Sequence, residues 1–240
     1  MSSPPTIVAL GGGGFLASQA GSRPGPLIDF IVSLNGTAAP RICRLGTATG
    51  DRADATASFY GAFAGTEVRA SHLDLFPMPN HLDMRRHLLA QDAIWVGGGS
   101  VANLLAVWRT HGVDEVMREA WQAGVVLSGV SAGSLCWFEG GTTDSFGLDL
   151  RPVTNGLGFL PMSNCPHYDG EPQRRPTYQR LVAEGVIGPG LAADDGVGLH
   201  FEGTAFVGAV SDRPGAQAWR VKPDGRGGVT ETAIAPRLLS

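Results

Sequence analysis

Short, almost wholly apolar runs alternate along this chain with stretches whose apolar residues recur every three or four positions. The runs at 6–10, 93–96 and 125–127 carry almost no polar interruption, the pattern of strands buried on both faces in a parallel sheet covered by helices. Residues 41–45 predict another strand, and 67–70 a weaker one. Between these strands the spacing predicts a helix that Asp51 and Asp54 cap and that runs through Phe59 and Phe63. Residues 81–90 predict a helix with Leu82, Leu88 and Leu89 on its apolar side. Ser100 is the expected N-cap of a helix carrying Leu104, Leu105, Val107 and Trp108, and a further helix spans 113–123, ending at Gly124. Strands alternating with helices predict an α/β fold: three layers, with a mostly parallel sheet flanked by helices.

After Thr142 the texture changes. A helix is expected near 176–184. Short β-like stretches at 197–201, 205–210, 218–221 and 229–234 then follow, separated by turn residues such as Glu202-Gly203 and Pro223-Asp224-Gly225. They predict antiparallel hairpins toward the C-terminus, at one edge of the same domain. With no internal repeat and no long linker, residues 1–240 read as a single α/β domain.

Composition narrows the function classes. The chain has 240 residues, a net charge of −4 and 17% charged residues, so no electrostatic case exists for nucleic acid or an anionic membrane as partner. No apolar run approaches the ~18 residues of a membrane helix, and the N-terminus leads into a strand rather than a signal peptide. Cys43, Cys136 and Cys165 form no CxxC pair, so neither a disulfide framework nor a zinc knuckle is expected. These features predict a cytoplasmic protein with reduced thiols.

The 35 glycines matter most in three places. Gly129-Val-Ser131-Ala-Gly133 is a GxSxG motif placed between a strand and the helical-looking 132–138. A sharp strand-to-helix turn needs small flanking residues. It pushes the serine Oγ into the open and aims the Ala132 N–H, at a helix N-terminus, toward an oxyanion. The competing reading is a tight turn with a structural serine. Gly97-Gly98-Gly99 ends the neighbouring strand and can supply a second backbone donor. It lacks the third glycine of a dinucleotide fingerprint, because Ala102 stands in that place. Gly11–Gly14 lacks a P-loop lysine and reads as a turn near the site, without a specific role.

A serine nucleophile needs a base. Of six histidines, His81 and His87 fall on a surface-like helix, His111 in a turn, His72 in a loop-like stretch and His200 in an alternating strand. His167, in Asn164-Cys-Pro-His-Tyr168, lies where a loop side chain can enter a cleft. Candidates for the orienting carboxylate are Asp144, Asp169, Glu171, Asp194, Asp195 and Glu202. Asp194-Asp195-Gly196 precedes a strand, so one of the two can point inward. An acid that follows the histidine gives the order Ser–His–Asp, unlike the Ser–Asp–His order of α/β-hydrolases.

Ile94-Trp-Val-Gly-Gly-Gly-Ser100-Val-Ala-Asn-Leu-Leu105, Val130-Ser-Ala-Gly133, Pro166-His167, Asp194-Asp-Gly196 and the earlier Gly46-Thr-Ala-Thr-Gly-Asp51 together resemble the peptidase E (aspartyl dipeptidase) and cyanophycinase family of serine peptidases, from about Pro40 to Val210. The resemblance implies a flavodoxin-like or class I glutamine-amidotransferase-like fold and a homodimer. It implies Ser131 as nucleophile, His167 as base, and Gly99 and Ala132 as oxyanion-hole amides. Asp195 stands where the family usually carries glutamate, with Asp194 and Glu202 as rivals. Arg174 and Arg175 fall in the region where aspartyl dipeptidases hold the substrate's Asp side chain.

The expected activity is hydrolysis of short peptides, in the manner of a dipeptidase and with Asp-X as a candidate specificity, through an acyl-enzyme. It needs neither metal nor organic cofactor. Its rivals are a cyanophycinase-like or other acyl hydrolase using the same machinery, and a non-catalytic ligand-binding protein on this fold.

Overall fold

The computed structural model describes residues 4–18 and 21–240. The first half of the chain comprises β1 (Thr6–Leu10), β2 (Phe15–Ser18), β3 (Gly21–Pro24), α1 (Pro26–Ser33), β4 (Arg41–Leu45), α2 (Ala53–Phe63), β5 (Arg69–Leu73), α3 (Met84–Leu89), β6 (Ala93–Val96), α4 (Val101–His111), α5 (Val113–Gln122) and β7 (Val126–Val130). The second half comprises α6 (Ala132–Leu135), β8 (Phe138–Thr143), β9 (Arg151–Val153), β10 (Leu160–Cys165), α7 (Arg174–Ala183), β11 (Gly190–Ala193), β12 (Val197–Glu202), β13 (Ala205–Ser211), β14 (Ala218–Pro223), β15 (Val229–Ile234) and β16 (Arg237–Leu238).

Strands β1, β7, β6, β4 and β5 lie side by side and parallel. Every residue of β1 and β6 is buried. Alternation along β1 shows why: Val8 and Leu10 pack with Leu27, Ile28 and Ile31 of α1 and Phe59 and Phe63 of α2. Ile7 and Ala9 face the opposite way, into a core shared with Leu104, Leu105 and Trp108 of α4 and Met117 and Trp121 of α5. Helices on both faces of a mostly parallel sheet make the three-layer α/β fold that the pattern predicts.

The hairpins form, but on two sheets. β12 and β13 extend the main sheet antiparallel beyond β1, in the order β16-β13-β12-β1-β7-β6-β4-β5. β14 and β15 close a second, six-stranded sheet in the order β15-β14-β11-β10-β8-β9. Its inner face shares the larger apolar core through Phe138, Leu160, Leu191 and Ala218. Its other face is covered by α7 through Tyr178, Leu181 and Val182.

Two local expectations are corrected. The helix after Ser131 spans four residues, not seven, because the chain leaves it at Cys136 and enters β8. Asp51 does not cap α2. Its carboxylate instead accepts the Leu75 and Phe76 N–H groups at 2.6 and 3.1 Å, fastening the turn after β4 to the end of β5. At the start of α3, Asp83 caps by accepting from Arg86 N, and Ser100 caps α4 as expected by accepting from Asn103 N at 3.2 Å.

No helix among the described residues is long and apolar enough to cross a membrane.

Candidate active site

The carboxyl ends of β1, β4, β6 and β7 point the same way, and each runs into a glycine-bearing turn. This is where open α/β sheets bind ligands. Ser131 leaves β7 at φ 56° and ψ −113°, a conformation costing a non-glycine residue on the order of 1–3 kcal/mol. The flanking glycines make the turn possible. A Cβ at Gly129 would sit 2.4 Å from the Gly133 carbonyl oxygen, and one at Gly133 would sit 2.2 Å from that of Val96. The turn is pinned by Ser131 N, which donates to Leu10 O at 3.2 Å, and by Leu135 N, which donates to Ser131 O at 2.8 Å.

His167 is held by a second strained turn, at φ 55°. Its Nδ1 lies 2.6 Å from Asp195 Oδ1, and both side chains keep partial access to solvent. Asp195 is fixed through its backbone, where its N–H donates to Asp169 Oδ1 at 2.8 Å. Arg213 pairs with the other oxygen of Asp169.

Two contacts tie the segments that carry this pair to the serine turn. Asn164, three residues before His167, donates from Nδ2 to Ser134 Oγ in the elbow helix at 3.0 Å. Leu10 O holds Ser131 N, while Gly12, two residues on, bridges in parallel to Asp195. Two residues of extended chain span about 7 Å, so the end of β1 has Ser131 on one flank and the His167–Asp195 pair on the other.

The glycines after β1 therefore have a role that sequence reasoning missed. A Cβ at Gly12 would fall 2.1 Å from Asp195 Oδ1 and 3.1 Å from His167 Nδ1, and one at Gly170 would fall 2.4 Å from Asp195 Oδ2. The pair docks into space that only glycine leaves. A Gly12→Ala variant is expected to stay folded and to lose at least 100-fold in kcat/KM, on the order of what a misplaced catalytic group costs. Steady-state kinetics beside a melting curve measure both, and near-normal turnover would show that the pair does not need this seat.

The carboxylate rivals are occupied elsewhere. Asp194 is buried and accepts from Gln217 N at 2.9 Å and Trp219 Nε1 at 3.0 Å. Burial, the larger influence, raises its pKa, and these bonds pull it back. Glu202 is exposed at a hairpin tip. Asp144 lies within ion-pair reach of Arg174.

Around the elbow, the N–H groups of Gly98, Gly99 and Ala132 donate to no carbonyl among the described residues, while Gly97 N and Ser100 N on either side of the first two are satisfied by Leu45 O and Ala48 O. Gly99 adopts φ 135°, and a Cβ there would strike Ala48 O at 2.4 Å. A Cβ on Gly98 would lie 3.2 Å from Ser131 Cβ. These donors frame the space beside the serine.

The arginines suggested for substrate binding both have partners within the protein. Arg174 is buried, bonded to Glu171 Oε2 at 2.6 Å and to Thr142 O at 3.1 Å, with Asp144 nearby. Arg175 pairs with Glu231 and lies 4.4 Å over the Trp219 ring. Both tie α7 to the second sheet. The cysteines are free and buried. Burial pushes the thiols of Cys43 and Cys165 up to about 12 and that of Cys136 well above its ordinary value, which removes them as nucleophiles near neutrality.

A strained serine at the carboxyl edge of a parallel sheet, flanked by free amides and a histidine–carboxylate pair, is the equipment of a serine hydrolase. The sequence model of peptidase family S51 matches residues 7–207. The chain is 45% identical over 217 residues to an uncharacterized peptidase of Bacillus subtilis (strain 168), YgaJ, covering 90% of this chain and 91% of that one. It is 30% identical over 133 residues to Peptidase E of Shewanella denitrificans, covering 52% of this chain and 56% of that one. The fold is similar to the crystal structure of a peptidase from an acI-B1 Actinobacterium, with a TM-score of 0.66 at 16% identity, over 97% of this chain and 95% of that one. The chain belongs to peptidase family S51, and it is a serine-type peptidase of the peptidase E type.

Proposed function

We propose that the protein hydrolyses short peptides through an acyl-enzyme on Ser131, with His167 as general base, Asp195 as its orienting acid, and the Gly99 and Ala132 amides as the oxyanion hole. The observation that carries this reading is the 2.6 Å contact between His167 Nδ1 and Asp195 Oδ1, taken with a GxSxG serine held at φ 56°. A carboxylate accepting from Nδ1–H holds the neutral ring in the tautomer whose Nε2 can take a proton from a hydroxyl. His167 then removes the Ser131 proton as Oγ attacks the scissile carbonyl. The carbonyl oxygen becomes an oxyanion facing the two amides, and one such donor is worth about 3 kcal/mol in the transition state. His167 next gives its proton to the leaving amine. Water, deprotonated by the same imidazole, attacks the acyl ester and restores Ser131.

The substrate class is a short peptide. A cavity of about 340 Å³ opens beside the elbow, at the small end of the range for ligand sites. One unit over the whole chain is supported by the core that both sheets share. A reducing, cytoplasmic setting is supported by three cysteines left unpaired. The N-terminal-Asp specificity implied by the resemblance gains no support from Arg174 and Arg175, whose guanidiniums are already paired.

The test is a dipeptide library that includes Asp-X and β-aspartyl members, followed by mass spectrometry, with labelling by a neutral fluorophosphonate in parallel. Cleavage of a defined subset together with an adduct on Ser131 is the expected result. An unlabelled serine and an untouched library would instead leave a ligand-binding protein on a peptidase fold.

A further inference from the structure

The cavity beside Ser131 contains a cation that the triad does not use. Gly97, Gly98 and Val130 line it at the serine end, Trp95 and Phe59 form its apolar walls, and Arg44 of β4 projects into it. Arg44 is 6% exposed. A guanidinium carries five N–H donors, yet among the described residues Arg44 makes one hydrogen bond, from Nη1 to Thr56 Oγ1 at 2.8 Å.

The space for it is built into the turn after β4. A Cβ at Gly46 would lie 2.6 Å from Nη1 and 2.8 Å from Nη2. Asp51, Asp74 and Asp54 favour its charge without forming an ion pair with it among the described residues. Burial outweighs them and lowers its pKa below the usual arginine value. The other cation of the cavity, Arg52, is exposed and already forked onto Asp54 at 3.0 and 2.6 Å.

A buried cation short of partners is costly unless something supplies the missing anion. The guanidinium fork matches a carboxylate in bidentate geometry, and does so most strongly where water is excluded. We propose that Arg44 selects the substrate by binding a carboxylate of the peptide, held in this cavity while Ser131 attacks. This rests on the peptidase reading above. It places the recognition of negative charge on β4 rather than on the arginines of α7. The carboxylate is either an acidic side chain or the C-terminus of the peptide, and the two sources are separable.

Two substrate pairs distinguish them: Asp-Leu against Asn-Leu for the side chain, and Ala-Leu against Ala-Leu amide for the terminus. The wild-type enzyme is expected to prefer the carboxylate in at least one pair. In Arg44→Gln the kcat/KM ratio of that pair should fall about 10- to 100-fold, the size of a lost charge-assisted hydrogen bond. Arg44→Lys should fall in between, keeping charge without the fork. Melting curves check that each variant is folded.

A binding measurement stands apart from turnover. Asp-Leu and Ala-Leu titrated calorimetrically into Ser131→Ala should bind, and should weaken by a similar factor in Ser131→Ala/Arg44→Gln. Dipeptides that are bound in an Arg44-dependent way but never cleaved would sink the hydrolytic reading and keep this one. Cleavage with no carboxylate preference, or with a preference that Arg44→Gln leaves intact, would overturn this one alone.

Discussion

Ser131→Ala is expected to lower kcat by about a millionfold, the scale on which removing the nucleophile of a triad acts, while the protein melts where the wild type does. The hydroxyl makes no hydrogen bond among the described residues that the fold would miss. The turn is held instead through backbone, by Ser131 N on Leu10 O and by Leu135 N on Ser131 O. Alanine keeps both bonds and the same strained φ of 56°. Ser131→Gly extends the test, because glycine visits positive φ without a Cβ penalty. That variant should be equally inactive yet more stable than the wild type by on the order of 1 kcal/mol. A dead but stabilised glycine variant is the signature of strain kept for chemistry. Substantial turnover by the alanine variant on any dipeptide the wild type cleaves would remove Ser131 from the mechanism.

The elbow was legible in the sequence because its demands are local. Gly129 and Gly133 clash with backbone a few residues away or on the adjacent strand, and continuous apolar runs mark β1, β6 and β7. The glycines after β1 were not legible, since the atom that a Cβ at Gly12 would strike belongs to Asp195, far along the chain. The second sheet was hidden for another reason. β8 and β10 read Phe-Glu-Gly-Gly-Thr-Thr and Leu-Pro-Met-Ser-Asn-Cys, compositions of loops. Several of their buried polar groups find partners in place: Thr142 Oγ1 lies 3.2 Å from Cys165 Sγ, Ser163 Oγ lies 2.7 Å from Tyr178 OH, and Asn164 Nδ2 reaches Ser134 Oγ, while Asn164 Oδ1 stays buried without a partner among the described residues.

Buried charge is no better marked in the sequence. Arg44 sits in a five-residue strand, Arg41-Ile-Cys-Arg-Leu45, in which either arginine looks like an outward-facing position. The strand is an inner one, between β5 and β6; Arg41 at its start is exposed, whereas the Arg44 guanidinium is buried beside Gly46 and Thr56. Arg174 is the reverse case: a helix arginine close after the histidine looks available, yet its partners Glu171 and Thr142 enclose it. Periodicity tells which residues are on a helix or strand. It does not tell which polar end is already paired.

Asp195→Asn is expected to cost about 10⁴-fold in kcat, the size of effect seen when a triad histidine is held in the wrong tautomer. Asp195 Oδ1 can only accept, so Nδ1 must donate to it at 2.6 Å. An asparagine seated with its amide nitrogen there donates instead, the ring proton moves to Nε2, and no base faces the serine. Asp194→Asn provides the contrast, since both oxygens of Asp194 accept, from Gln217 N and Trp219 Nε1. An amide group can serve one of those donors and confronts the other, so this variant should lose about 1–3 kcal/mol of stability and still turn over at a temperature where it is folded. Chemical denaturation and steady-state kinetics on the two variants separate the roles, because one loss is catalytic and the other structural. The opposite pattern, a normal rate in Asp195→Asn and a folded but inactive Asp194→Asn, would move the acid by one residue and require the 2.6 Å contact to be re-formed with a different carboxylate during turnover.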